Sequence, residues 1–103
     1  MAIKETDQSV EKMLTLLKTF MECQKSSYGI VSLGVFGSFS RGEAQSGSDV
    51  DIVFETKEPN LFRTASMKAE LEESLALRVD VVRLRERMNP RLKRRIQREA
   101  RYV

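Results

Sequence analysis

The chain has 103 residues, 41% of them hydrophobic and 32% charged, with a formal net charge of +3, the size and balance of one soluble globular domain spanning residues 1–103. It contains no histidine and a single cysteine, Cys23, which excludes an imidazole base, a histidine-ligated zinc site and an intramolecular disulfide, and fits a reducing cytoplasm. The longest uncharged stretch, Ser26 to Ser40, is broken by Ser and Gly and is too short to span a bilayer, and Lys4, Glu5 and Asp7 do not open a signal peptide, so a cytoplasmic protein without a membrane partner is expected.

A first helix is predicted from a cap at Asp7 or Ser9 to about Ser26, because Val10, Met13, Leu14, Leu17, Phe20 and Met21 recur at helical spacing. Tyr28-Gly29 ends it. Ile30 to Gly37 reads as a strand, with Val31, Leu33 and Val35 alternating. Gly37 to Ser48 holds three Gly and four Ser and reads as a loop with room for one short helical turn. A second strand follows from Asp49 to Glu55, with Val50, Ile52 and Phe54 on one face. Pro59-Asn60 is a turn, and Leu61 to Ala76 a helix with Met67, Leu71 and Leu75 on one side. Leu77 to Leu84 is a third strand. Asn89 then caps a last helix with Pro90 at its first position, and Leu92, Ile96 and Ala100 form its narrow apolar seam. The order α-β-β-α-β-α predicts a small mixed β-sheet covered by helices, an α/β (α+β) fold. Cys23 is placed among the core positions of the first helix, Met13, Met21 and Met67 as core filler, and Tyr28 and Tyr102 in packing or capping roles.

The acids carry the chemistry. Asp49 and Asp51 are two apart on a strand, so their side chains leave the same face. Two carboxylates held side by side suit a hard divalent cation such as Mg²⁺, which binds through one or two carboxylates plus substrate phosphates. Asp80 interrupts the apolar run Val79, Val81, Val82, and a charge in a small hydrophobic strand is costly unless it is paired or coordinated. Two readings stay open: an ion pair with Arg78 or Arg83, or, if the third strand lies beside the second, a cluster with Asp49 and Asp51 around one or two metal ions in which Asp80 accepts a proton from a nucleophile.

Gly37-Ser38 falls where the first strand ends. Glycine allows close approach of backbone to a ligand, the Ser hydroxyl and neighbouring N–H groups suit phosphate oxygens, and Arg41 adds a donor fork. The loop is neither a P-loop nor a Gly-x-Gly-x-x-Gly turn. Its spacing is the informative feature. Gly-Ser-x10-Asp-x-Asp at a fixed offset arises by chance in about one chain of this length in a thousand, and here a strand delivers the Gly-Ser while the next carries the acids.

Gly37-Ser38-Phe39-Ser40-Arg41-Gly42-Glu43-Ala44, then Ser48-Asp49-Val50-Asp51-Ile52-Val53, resembles the minimal nucleotidyltransferases, the MNT antitoxin family of HEPN/MNT toxin–antitoxin systems, within the DNA polymerase beta-like superfamily. The resemblance extends to Val79-Asp80-Val81-Val82 and Asn89-Pro90-Arg91-Leu92. Ser40 stands where the family usually has a small apolar residue. The resemblance implies the minimal nucleotidyltransferase fold, with Gly37, Ser38 and Arg41 binding nucleotide phosphates and Asp49, Asp51 and Asp80 forming the catalytic and Mg²⁺-binding acids. It further implies an antitoxin that transfers AMP from ATP to a tyrosine hydroxyl of a HEPN-type RNase toxin and so blocks it. Two other functions compete: an antitoxin that acts by occlusion alone, and a nucleic-acid-binding module. The second draws on the C-terminal charge. Residues 78–103 hold ten Lys or Arg against three Asp or Glu, whereas residues 1–77 hold eight against twelve, so the basic end suits an anionic partner. No aromatics interleave with these charges, which weakens a base-stacking mode.

Overall fold

The computed structural model describes residues 5–45 and 47–103, without the side chains of residues 5–9. Helix α1, Glu5–Tyr28, already runs through Asp7 and Ser9, so neither is its cap, and their side chains lie outside the described set. Its apolar stripe is realised: Val10, Met13, Leu17 and Phe20 are buried, and Leu14 and Met21 pack at the margin. The helix extends past Ser26 because Tyr28 is drawn into it. The Tyr28 ring stacks on Phe20 with centroids 6.1 Å apart, and its hydroxyl donates to Glu70. Gly29, at φ +62, then ends the helix in the left-handed conformation that glycine adopts without a Cβ penalty. Cys23 is exposed, not in the core. It lies beside the stripe rather than on it.

Strand β1, Ile30–Phe36, pairs antiparallel with β2, Val50–Thr56. A register shift between Ile30 and Ser32 bulges the start of β1, which reverses the expected role of Val31. Ile30, Leu33 and Val35 are buried while Val31 is 47% exposed. An extra residue on one strand moves the alternation by one position.

Helix α2, Leu61–Leu75, is capped by Asn60, whose side chain accepts the Arg63 N–H, and it buries Met67, Leu71 and Leu75. It connects β2 to β3, Val79–Arg83, which lies parallel to β2; a parallel pair needs such a crossover helix. Helix α3, Pro90–Glu99, begins as expected, with the Asn89 side chain accepting the N–H groups of Arg91 and Leu92 and Pro90 opening the first turn. Asn89→Ala is expected to cost about 1 kcal/mol, readable as a lowered thermal midpoint. A two-residue strand absent from the expected order, β4 at Arg101–Tyr102, pairs antiparallel with β1 opposite Gly34 and Val35. A Cβ on Gly34 would approach the Arg101 carbonyl and the Tyr102 ring to 2.9 Å, so that glycine lets β4 dock.

The sheet order is β3-β2-β1-β4, so the described residues form three helices and a four-stranded mixed sheet. One face packs Leu33, Val35, Ile52 and Phe54 on Leu17, Met67 and Leu71, and each fully buried leucine there contributes about 2 kcal/mol. The other face is also covered. Phe36, Val53 and Ile96 form a second cluster, with Val82, Leu92 and Ala100 packed against it, so the middle of β2, Ile52 to Phe54, is apolar on both sides. No helix among the described residues is long and apolar enough to cross a membrane.

Candidate active site

The Gly-Ser turn follows directly from β1. Gly37 adopts φ +80, and a Cβ there would collide with Oδ2 of Asp51 and press on Arg95. The backbone of the turn therefore lies against the Asp51 carboxylate in a way only glycine allows. Residues 37–43 fold into a tight turn. The Arg41 N–H donates to the Gly37 carbonyl at 3.2 Å and the Glu43 N–H to the Ser38 carbonyl at 2.8 Å. The Ser40 hydroxyl also donates to the Gly37 carbonyl, at 2.9 Å, a bond a small apolar residue could not make. Phe39 is buried and anchors the turn in the core. Among the described residues the Ser38 hydroxyl has no hydrogen-bond partner, and Ser38 is only half-buried.

Opposite the turn stand the acids. The β2–β3 register pairs Asp51 with Asp80. Partners in a parallel ladder project to the same side, so the two carboxylates are neighbours. The sheet order thus realises the adjacency of second and third strands on which the clustered reading depended. The expectation of a charge in a hydrophobic strand is corrected, however: β3 is an edge strand, and Asp80 is exposed to solvent. Nor does Asp80 pair with Arg78 or Arg83; Arg78 reaches Asp49 instead, at 3.2 Å. Asp49 precedes β2 and is 52% exposed, whereas Asp51 is 25% exposed. The Asp51 pKa is raised. Burial is the main cause, and the nearby charges of Asp80 and Asp49 add to it, against an opposing pull from Arg95 and a weaker one from Arg41. Among the described residues no three acidic side chains converge closely enough to cage a metal ion by themselves.

Two further residues complete the surroundings, both from α3 and neither assigned to the transfer site from the sequence. Arg95 places Nη2 3.7 Å from Oδ2 of Asp51, with its guanidinium over the Phe36 ring at 5.5 Å. Glu99 accepts the Gly37 N–H at 3.1 Å and Nη1 of Arg41 at 3.0 Å. Arg41 also donates from Nε to Glu43 at 2.9 Å; that bond, with Glu99 nearby, raises the guanidinium's already high pKa further. Glu99 is the lone acid of α3, and the Arg95–Glu99 spacing of four residues is the signal that marks it.

Mg²⁺ suits this donor set. Its oxygens are hard, burial and then the neighbouring carboxylates raise the pKa of Asp51, and one or two such ligands with phosphates are what Mg²⁺ takes. A groove of about 570 Å³ lies elsewhere, lined by Phe54, Leu61, Val81 and Arg83 among others. Phe54 and Val81 alternate with the acidic positions on β2 and β3, so this groove opens on the sheet's other face.

A mixed sheet in which a Gly-Ser turn abuts acids on the two following strands defines the class of nucleotidyl-transferring enzymes. The nucleotidyltransferase domain family matches residues 17–103. The protein adenylyltransferase MntA of Thermococcus cleftensis is 35% identical over 99 residues, which cover 95% of this chain and 96% of MntA. A solved minimal nucleotidyltransferase superposes with a TM-score of 0.69 at 32% identity, with 97% of each chain covered. A chain from the complex of tri-AMPylated Shewanella oneidensis HEPN toxin with MNT antitoxin shares the fold, with a TM-score of 0.58 at 18% identity over 94% of this chain and 70% of that one. The chain belongs to the nucleotidyltransferase family, and within it to the minimal, MNT type.

Proposed function

We propose that this enzyme is a cytoplasmic antitoxin, a single domain over residues 1–103, that transfers AMP from ATP to a tyrosine hydroxyl of a HEPN-type RNase toxin and so neutralises it. The observation that carries the reading is the register of Asp51 beside Asp80, with the Gly37 turn lying on the Asp51 carboxylate. The activity named for the Thermococcus cleftensis relative supports AMP as the group transferred, and the fold shared with the AMPylated-toxin complex supports a HEPN acceptor.

Asp49, Asp51 and Asp80 would hold Mg²⁺, which when bound supplies charge neutralisation at the α-phosphate and lowers the pKa of the acceptor hydroxyl. Gly37 and Ser38 line the seat of the triphosphate, with the Ser38 hydroxyl free to donate. Arg41 adds positive charge beside it. Asp80, exposed at the sheet edge, is open to an incoming protein and can take the tyrosine proton. As the tyrosine oxygen bonds the α-phosphorus, the α–β phosphoanhydride bond breaks and pyrophosphate leaves; positioning and charge stabilisation carry most of such a reaction. The AMP group then places a bulky anion on the RNase.

Intact mass of the toxin, co-expressed with and without this chain, tests the reading. AMP-sized additions that appear only with the wild-type chain are expected. Neutralisation with no added mass would mean occlusion instead. A second reading rests on α3: Arg91, Arg94 and Arg98 share one exposed face and make no ion pair among the described residues, a strip able to track phosphates of a nucleic acid. A steeply salt-dependent mobility shift of RNA by the isolated chain would favour it.

A further inference from the structure

The geometry points to Glu99 as a positioning residue of the transfer site: from the end of α3 its carboxylate holds the Gly37 turn, Arg41 and Arg95 in the arrangement that receives the nucleotide's phosphates, an inference that rests on the function proposed above. A single oxygen does this. Oε1 accepts the Gly37 N–H at 3.1 Å and Nη1 of Arg41 at 3.0 Å, and stands 3.4 Å from Nε of Arg95. Two of these donors come from the turn of residues 37–43 and the third from α3 itself, so Glu99 ties the turn to the helix at one point.

The carboxylate is built in, with only 14% of its side chain exposed. Burial works to raise its pKa, but the Gly37 N–H and the two guanidinium groups outweigh that and hold it below the ordinary range. It therefore stays charged, and charge-assisted bonds are the strong ones. Both arginines are held by the edges that face Glu99. Arg41 uses Nε on Glu43 and Nη1 on Glu99, which leaves Nη2 for a ligand. Arg95 turns Nε to Glu99 and Nη2 toward Asp51. Two cations beside each other repel, and the anion between them permits both to stand by the acids of β2. Groups fixed before the ligand arrives cost less to order when it binds. Among the described residues, the other arginines of α3, on its outer face, have no such acid.

The test compares the full-length wild type with Glu99→Gln and Glu99→Ala. Glu99→Gln keeps shape and one acceptor oxygen but removes the charge. Calorimetric titration with Mg·ATP, KM and kcat for ATP, and the thermal midpoint are read for each. Glu99→Gln is expected to keep a near wild-type midpoint while Mg·ATP affinity falls about fivefold and KM rises in step; Glu99→Ala should lose about thirtyfold. Adding Arg41→Ala to Glu99→Ala should cost little more, because both act through one network. Wild-type affinity in Glu99→Gln, or tighter binding, overturns the inference. So does a fallen midpoint with KM and kcat unchanged, or a Glu99→Gln chain that does not fold, since either reduces Glu99 to a structural part. A wild type that binds no Mg·ATP sinks the transfer function and this inference together, whereas a binding wild type with unaffected variants sinks this inference alone.

Discussion

Changing Asp49 and Asp51 together to Asn is expected to slow AMP transfer at least about a thousandfold, about 4 kcal/mol of transition-state stabilisation, without unfolding the protein. The same change should make the chain more resistant to heat. Asp51 is mostly buried, and Asp80 and Asp49 reinforce the rise in its pKa that burial begins. A carboxyl whose folded pKa lies above its unfolded value adds stability that is complete below the unfolded value and is lost as pH climbs through the folded one. At neutral pH, with divalent cations chelated, ionised Asp51 is thus a net strain on the fold, which Asn relieves. The Arg78–Asp49 pair that is lost is well exposed, and such pairs contribute little. Thermal scans at pH 7 should show the double variant melting above the wild type in chelator. Added Mg²⁺ should raise the wild-type midpoint and leave the variant's unmoved. In the wild type the chelator-dependent deficit should shrink as pH falls toward 4. Transfer that survives in the variant, followed by intact mass of the toxin, would dismantle the catalytic account.

Gly37→Ala carries the second large expected effect, a thermal midpoint lowered by roughly 10 °C together with loss of Mg·ATP binding. Its positive φ alone costs an alanine about 1 kcal/mol or more, and the new methyl would overlap the Asp51 carboxylate and crowd Arg95. Neither neighbour can retreat easily, because Asp51 lies within β2 and Arg95 is held by Glu99. Gly47→Ala is the matched control. Gly47 has φ +88, but among the described residues beyond its chain neighbours nothing lies within 4 Å of a Cβ placed there. It should lose only the backbone share of stability and transfer AMP normally. Calorimetric titration and thermal scans of the two variants side by side separate turn geometry from glycine flexibility.

Features set by local chemistry were legible in the sequence, and features set by distant neighbours were not. The cap-and-proline pair Asn89-Pro90 and the spacing of Met67, Leu71 and Leu75 located two helices because those signals lie within a few residues. The Gly-Ser turn between two strands was readable for the same reason, and it brought Gly37 and Asp51 into view together. Strand β4 was missed since two residues carry no period, and only Gly34 across the sheet makes room for it. Val31 was grouped with Leu33 and Val35 because a bulge leaves no mark on an alternating run. Asp80 looked like a buried charge because apolar neighbours do not reveal that a strand lies at a sheet's edge. Arg95 and Glu99 disappeared into a basic helix whose meaning lies in what it touches. Cys23 sits one helical position away from where its packing was expected, and a narrow stripe does not forgive that.

The bond between Gly37 and Glu99 spans 62 positions of the chain. During synthesis on the ribosome, the turn and the acids of β2 emerge long before their brace. The hairpin and first crossover can form early, yet the arginine–glutamate clasp can close only once residues 95–99 have left the exit tunnel. A nascent chain therefore holds the turn and Asp51 before it holds the residue that braces them.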